Sequence, residues 1–361
     1  MNAPNATDES PQEQDAPSTD ERRGRDALAF SSLCRRFLSA RNVVAIAVAG
    51  SLLYFLMVQF DLDLEGTWSE LQRTDLGWYM AAFAIYYLNF PIRSIRWRVL
   101  LEDSGCEEVN APNKVSILTL SEIGYLGWFL NSVSVFRMGF VYRCYQLTSR
   151  LKASLALVVG SLFAERLLDT VVTLGLIGFA ALFLLSSYWN PVLTYILLGG
   201  LVTTLILAGV PLAMLVSGRR VTRFLPTRLK DGYDNFREGT LKSFRRWPRL
   251  TLLSIAVWGC ETARLLFVVY SLGLDVDISI VIFVALGASI ITTFPITPGG
   301  LGLVEAGMTG VLATVLTAEE ALSVTLLDRS INYLSVIAIG GLLLLARSGY
   351  SLRRGTVKAT R

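Results

Sequence analysis

The sequence contains no histidine and only four cysteines, Cys34, Cys106, Cys144 and Cys260, scattered without CxxC spacing. The first absence removes the usual general base and the commonest zinc ligand. The second leaves neither a metal site nor a disulfide framework to read. No GxxxxGK[ST] loop is present, so no nucleotide-driven step is expected and no cofactor is implied. Charge is also scarce: 17% of the 361 residues are Asp, Glu, Lys or Arg, against about a quarter in soluble domains. No segment outside the apolar runs is long enough to bury a core of its own, which excludes a large soluble domain. The net charge of +4 does not point to nucleic acid, because the basic residues cluster beside apolar runs.

What is abundant is apolar: 53% of the chain is hydrophobic. Runs at 43–60, 192–216 and 250–272 reach the roughly 20 residues that a bilayer crossing needs. The chain reads as an all-α polytopic membrane protein. Residues 1–40, rich in Pro, Ser, Asp, Glu and Gln toward their start, read as a disordered tail. The run 43–60 lacks a small-residue cleavage site and reads as a retained helix.

Lysine and arginine set an orientation, since cytoplasmic loops carry their excess. Arg35, Arg36 and Arg41 place the N-terminus inside. The acidic stretch 61–75 lies outside, and a second helix over about 76–97 returns to Arg93, Arg96 and Arg98. A run over about 153–186 leads outward to an uncharged loop. Helix 192–216 returns to the strongly basic loop 217–249, whose apolar residues, among them Phe236, Phe244 and Trp247, suggest short amphipathic helices on the lipid surface. Helix 250–272 goes out to Asp275 and Asp277, and a last helix over about 321–346 ends at Arg347, Arg353 and Arg354 in a basic cytoplasmic tail, 347–361.

Two apolar stretches remain, 115–135 and 279–317. Basic residues flank the first on both sides, and the second begins and ends outside. Both read as re-entrant, a geometry tolerated where protein or a watery cavity covers the backbone; the alternative for 115–135 is a plain crossing. The result is about six crossings plus two re-entrant segments, with helix, re-entrant segment, helix occurring over 76–186 and again, inverted, over 250–346. Glycine and charge spacing agree in part. Gly139 precedes Arg166 as Gly302 precedes Arg329, and Glu165–Arg166 corresponds to Asp328–Arg329. Inverted repeats are a recurrent plan of transporters.

Charges lie inside these runs: Glu165, Arg166 and Asp169 in SLFAERLLDTVVTL, Glu261 and Arg264 in WGCETARLLF, Asp328 and Arg329 in SVTLLDRSINYL. Each costs at least about 2.5–3.5 kcal/mol at the bilayer centre. They therefore pair with one another, line a polar cavity, or both. Glu261 and Arg264 stand three apart on one helix face and suit a mutual pair. In FPITPGGLGLVEAG, residues 294–307, Pro298, Gly299, Gly300 and Gly302 break the helix and begin a new one. Its first amides lack intrahelical partners and could hold an anion; a tight hairpin turn is the structural alternative. Glu305 could cap that helix, pair with an arginine, or meet an amine. Asn131, Arg137, Gly139 and Arg143 form the weaker counterpart in the first re-entrant segment.

These stretches resemble the membrane family named after the lysylphosphatidylglycerol synthase transmembrane region, the flippase-like part of the multiple peptide resistance factor. The likeness runs from about residue 76 to 345. Arg96, Trp97 and Arg98 are similar to its arginine–tryptophan element, and Glu165, Arg166 and Asp169 to its Glu-Arg-x-x-Asp element. Pro295, Pro298, Gly299, Gly300, Gly302 and Glu305 match its most specific motif, and Arg329 its later arginine helix. Val135 and Phe140 depart from the family's usual proline and glutamate, which puts the typical substrate in doubt.

The resemblance implies movement of an anionic lipid between leaflets, either an aminoacylated phospholipid or a polyprenyl-phosphate-linked sugar. It does not imply synthesis, because no large soluble domain follows the last helix. The expectation is a lipid flippase of the cell membrane that is not an enzyme, has membrane lipids as partners and both termini in the cytoplasm, and takes no cofactor. A homo-oligomer is compatible with it. The competing readings are a membrane transferase using Glu165, Asp169 or Glu305 as base, and a secondary transporter of a small anion.

Overall fold

The computed structural model describes residues 64–104, 115–134, 138–151, 154–187, 226–292 and 297–344, with a few positions between 198 and 216. The N-terminal tail, the run 43–60, most of helix 192–216, Val135, Arg137, Pro295 and the C-terminal tail lie outside the described residues.

The described chain is helical throughout. A short helix α1, Leu64–Gln72, precedes α2, Leu76–Asp103. Asp75 caps α2 by accepting from the amides of Gly77 at 2.7 Å and Trp78 at 3.4 Å, satisfying donors that the first turn leaves open. Next come α3, Ile117–Val133, and α4, Met138–Leu151. A Cβ on Gly139 would stand 1.8 Å from the Gly127 carbonyl oxygen, so only glycine lets α4 fold back this closely onto α3. The long α5, Leu155–Ser187, follows.

Helix α6, Thr227–Lys242, occupies the basic loop. An amphipathic helix is therefore present there, but its packed face meets α5, where it was expected on lipid. Phe236 meets Phe163 with ring centroids 5.6 Å apart. Gly160 and Gly239 let the two backbones touch, since added Cβ atoms would lie 2.4 Å from Phe236 O and 2.6 Å from Leu157 O. Phe244 packs against the core, while Trp247 is exposed.

The second half repeats the succession. Helix α7, Trp247–Ser271, is followed by α8, Ile278–Ile291, a 3₁₀ turn Pro298–Gly300, α9, Leu303–Leu312, and α10, Ala318–Arg329. The last continues through a π turn, Ser330–Leu334, as one helix to Leu344. Helix, hairpin, helix thus occurs twice: α2, α3/α4, α5 and α7, α8/α9, α10. At 1.5 Å per residue, α8 spans about 21 Å and α9 about 15 Å, both short of the roughly 30 Å hydrocarbon core. By length and composition α7 and Ala318–Leu344 can cross a bilayer.

The corresponding helices α2 and α7 pack together in opposite directions. At one end the Asp75 amide donates to Ser271 O at 2.6 Å. At the other, Arg246 binds Asp103 at 2.7 Å and Glu102 at 3.1 Å.

The burial pattern inverts that of a soluble protein. Arg96, Arg143, Glu165, Asp169, Glu261, Arg264, Glu305, Asp328 and Arg329 are all buried. Leu118, Leu76, Leu252, Leu334 and Leu342 are more than half exposed. Water would disfavour so broad an apolar surface, whereas a bilayer solvates it and forces charge inward.

Candidate functional site

The buried charges form two adjoining clusters across α2, α4, α5, α7, α9 and α10. In the first, Arg96 of α2 reaches α5. It donates to both Asp169 oxygens, with Nη1 on Oδ1 and Nη2 on Oδ2 at 3.2 Å, and to Glu165 Oε1 at 3.3 Å. Its Nη1 also donates to Ser254 Oγ at 2.9 Å, tying in α7. The other Glu165 oxygen accepts from Arg143 Nη2 at 2.7 Å, and the Arg143 guanidinium lies 4.2 Å from the Trp97 ring centroid. Arg166 is different. Among the described residues it takes part in no ion pair and its guanidinium has no hydrogen-bond acceptor. Three arginines therefore share two carboxylates.

In the second cluster Glu261 of α7 is the hub. Oε1 accepts from Asn89 at 2.9 Å and Arg93 at 3.0 Å, and Oε2 pairs with Arg264 at 3.3 Å. Their three-residue spacing is thus a mutual pair. Arg264 also meets Asp328 at 3.3 Å, and Asp328 accepts from Asn332 at 2.6 Å. Arg329 continues the chain, donating to Asn332 at 3.3 Å, to Glu305 Oε1 at 2.6 Å and to the Gly299 carbonyl at 3.0 Å. Arg93 lies between two indoles, 4.9 Å from the Trp128 centroid and 5.4 Å from that of Trp258.

The helix break takes its shape from glycine. Gly299, Gly300 and Gly302 have φ of 60°, 75° and 82°, a left-handed region costly to other residues. A Cβ on Gly299 would meet the Tyr333 ring at 2.4 Å. The Tyr333 hydroxyl donates to Ser132 O at 3.2 Å, so the break of the second hairpin abuts the end of α3 in the first.

At the break the Gly302 amide is not left open: capping by Glu305 was one of the roles the sequence offered. Gly302 N donates to Glu305 Oε2 at 2.6 Å. Of the three roles open to Glu305, it fills two at once: cap and arginine partner. Its counterpart Gly139 is capped in the same sense by Asn131 Oδ1 at 2.9 Å. The Glu305 carboxylate thus occupies one of the amides at the break. Pro298 and Gly300 are buried within the turn.

Several residues of the network carried no signal in the sequence. Arg93 read only as a topology marker, yet it binds Glu261, beside Arg96, which the arginine–tryptophan element had singled out and which is fully buried. Their three-residue spacing on one face of α2 was the available clue. Asn89, Ser254 and Asn332 were invisible, because their roles depend on which helices meet. Tyrosines add a further layer around the π turn. Tyr79 and Tyr87 bond Ser330 and Ser335 at 2.7 Å, and Tyr86 donates to Asn332 O at 3.3 Å. Turns of this kind loosen the helical hydrogen-bond ladder and often mark functional positions. No cluster of three or more potential metal ligands exists among the described residues.

A charged interior, a lipid-compatible exterior and two short hairpins define an integral membrane protein. The chain belongs to the lysylphosphatidylglycerol synthase TM region family, whose sequence profile matches residues 42–340. It is similar to a UPF0104 membrane protein of Methanocaldococcus jannaschii, 29% identical over 60% of this chain and 92% of the relative. A second UPF0104 membrane protein, from Pyrococcus horikoshii, is 23% identical over 78% of this chain and 90% of the relative. The glycosyltransferase AglD of Haloferax volcanii is 25% identical over 81% of this chain, which spans about half of that protein, 53%. This last relative overturns the expectation that the chain is not an enzyme, since it is named for an enzymatic activity.

Proposed function

We propose that the chain binds the phosphate of an anionic membrane lipid in the arginine network and carries it between leaflets while the acyl chains stay in the bilayer. One observation carries this reading. Among the buried polar side-chain atoms without a hydrogen-bond partner, the N–H donors Arg96 Nε, Arg143 Nε, Arg264 Nε and Nη1, Trp97 Nε1 and Trp258 Nε1 outnumber the acceptors Asn89 Oδ1 and Asp328 Oδ1, and the Thr148 and Thr173 hydroxyls can serve as either. Buried donors left unmet are costly, and a phosphate brings acceptor oxygens that suit guanidinium groups. Arg166 adds a cation whose guanidinium makes no ion pair or hydrogen bond among the described residues, although it lies in the field of Glu165 and Asp169.

About six crossings and two re-entrant hairpins in inverted repeats, with both termini cytoplasmic in the cell membrane, fit this role. The antiparallel α2 and α7 support that arrangement. In liposomes the purified protein should move a fluorescent anionic phospholipid or a polyprenyl phosphate across leaflets. Arg329→Ala and Arg166→Ala should slow it. Unchanged movement in both variants would refute the site.

The relative named as a glycosyltransferase favours a second reading, sugar transfer on a lipid-linked substrate. Chemical conversion of a lipid-linked sugar by the purified chain, without movement of any lipid, would support that reading over the first.

A further inference from the structure

The five carboxylates that sit in the network are Glu165, Asp169, Glu261, Glu305 and Asp328. Each is held by an arginine: Glu165 by Arg96 and Arg143, Asp169 by Arg96, Glu261 by Arg93 and Arg264, Glu305 by Arg329, and Asp328 by Arg264. Asp328 Oδ1 accepts no hydrogen bond but lies 3.3 Å from Arg264, so an incoming amine would have to compete with a buried arginine at every one of these carboxylates. Glu305 is further committed to the Gly302 amide.

A place built to hold a cation points the same way. Trp128, Trp258 and Glu261 would make a box for an alkylammonium, with two π faces and a counter-charge. Arg93 already fills it, with its guanidinium near both rings and 3.0 Å from Glu261. What stays unmatched is mostly positive or a donor: Arg166, the buried Nε atoms of Arg96, Arg143 and Arg264 and two indole N–H groups, against the acceptors Asn89 Oδ1 and Asp328 Oδ1.

We infer that the site selects by charge, accepting a lipid whose phosphate carries no compensating cation and rejecting one whose phosphate is offset by an amine. This rests on the proposed lipid-phosphate reading and narrows it. Discrimination comes from repulsion as much as attraction, because a cationic head would face the unpaired arginine at low dielectric.

The test uses the full chain in detergent micelles with three probes: phosphatidylglycerol, a polyprenyl monophosphate and lysylphosphatidylglycerol, the last carrying net positive charge. Binding is followed by native mass spectrometry and by thermal shift. At least one of the two anions should bind about tenfold tighter than lysylphosphatidylglycerol, and Arg166→Gln should remove most of that difference while Arg166→Lys restores it. Lysylphosphatidylglycerol binding as tightly as the better anion would overturn the inference and leave the lipid-binding reading in place. Binding of none of the three would sink that reading, and the inference with it. The comparison on the unaltered protein decides the matter even if the variants fail to fold.

Discussion

Glu305 Oε1 accepts from Arg329 Nε at 2.6 Å, and the other oxygen of the same carboxylate accepts from the Gly302 amide at 2.6 Å. One buried side chain thus joins the helix break to α10. Removing one partner of such a pair leaves an uncompensated charge, which costs about 3–5 kcal/mol, whereas replacing both by apolar groups is often neutral. Glu305→Ala should therefore lower thermal stability sharply in detergent. The double change Glu305→Leu with Arg329→Met should recover much of that loss while lipid movement stays low. Failure of the double variant to recover would mean that the Gly302 cap, not the ion pair, dominates.

Glycine substitutions should sort by what surrounds each position. Gly139→Ala and Gly239→Ala drive a methyl into a facing backbone, at 1.8 and 2.6 Å, and should prevent α3/α4 and α5/α6 from closing. Gly299→Ala adds a left-handed φ, worth roughly 1–2 kcal/mol, and displaces Tyr333. Gly124 and Gly178 have nothing near the added methyl. Alanine there should be neutral or stabilise by about 0.5–1 kcal/mol through helix propensity. Thermal midpoints of purified variants, measured side by side, check the ordering.

The charged end of the α2–α7 pair should respond to acid. Glu102 lies beyond the apolar part of α2, where burial raises its carboxyl pKa but hydrogen bonds from Arg98 and Arg246 outweigh this and hold it below the usual value. In the unfolded chain it takes up a proton near about 4.3. A carboxylate lowered in the fold contributes its stability in full above that value and loses it as pH falls through the folded value. The midpoint of Arg246→Ala should thus fall less steeply between about pH 5 and pH 3 than that of the parent protein. Parallel curves would show that the contact contributes little.

Orientation is open to direct labelling. Arg245 and Asp275 flank α7 at opposite ends and both are exposed. In a background with the four native cysteines replaced, Asp275→Cys should react with a membrane-impermeant maleimide in intact cells. Arg245→Cys should react only after permeabilisation. The reverse pattern would invert the orientation drawn from lysine and arginine.

Much of the fold was legible before any coordinates. Apolar run length, the breaker FPITPGG and flanking charge place helix, hairpin and helix in order, and the structure repeats that order twice. Glu261–Arg264 was legible because one helix sets its spacing. Arg96–Asp169 and Glu261–Arg93 were not, since they join residues 73 and 168 positions apart, and nothing local encodes which helices touch. The lipid-surface reading of the basic loop failed for a related reason: an amphipathic face reports that something apolar covers it, not whether that is lipid or protein.

The sequence by itself determined that this is a membrane protein with charges it must shelter, because the cost of a lone charge in hydrocarbon depends on residue type alone. The tertiary structure decided how they are sheltered. Packing among α2, α4, α5, α7, α9 and α10 sets every carboxylate of the network against an arginine, fills the aromatic box with Arg93 and caps the broken helix with Glu305. Arg166 and an excess of buried N–H donors over acceptors remain, and the sign of that remainder arises only from which side chains come within bonding distance.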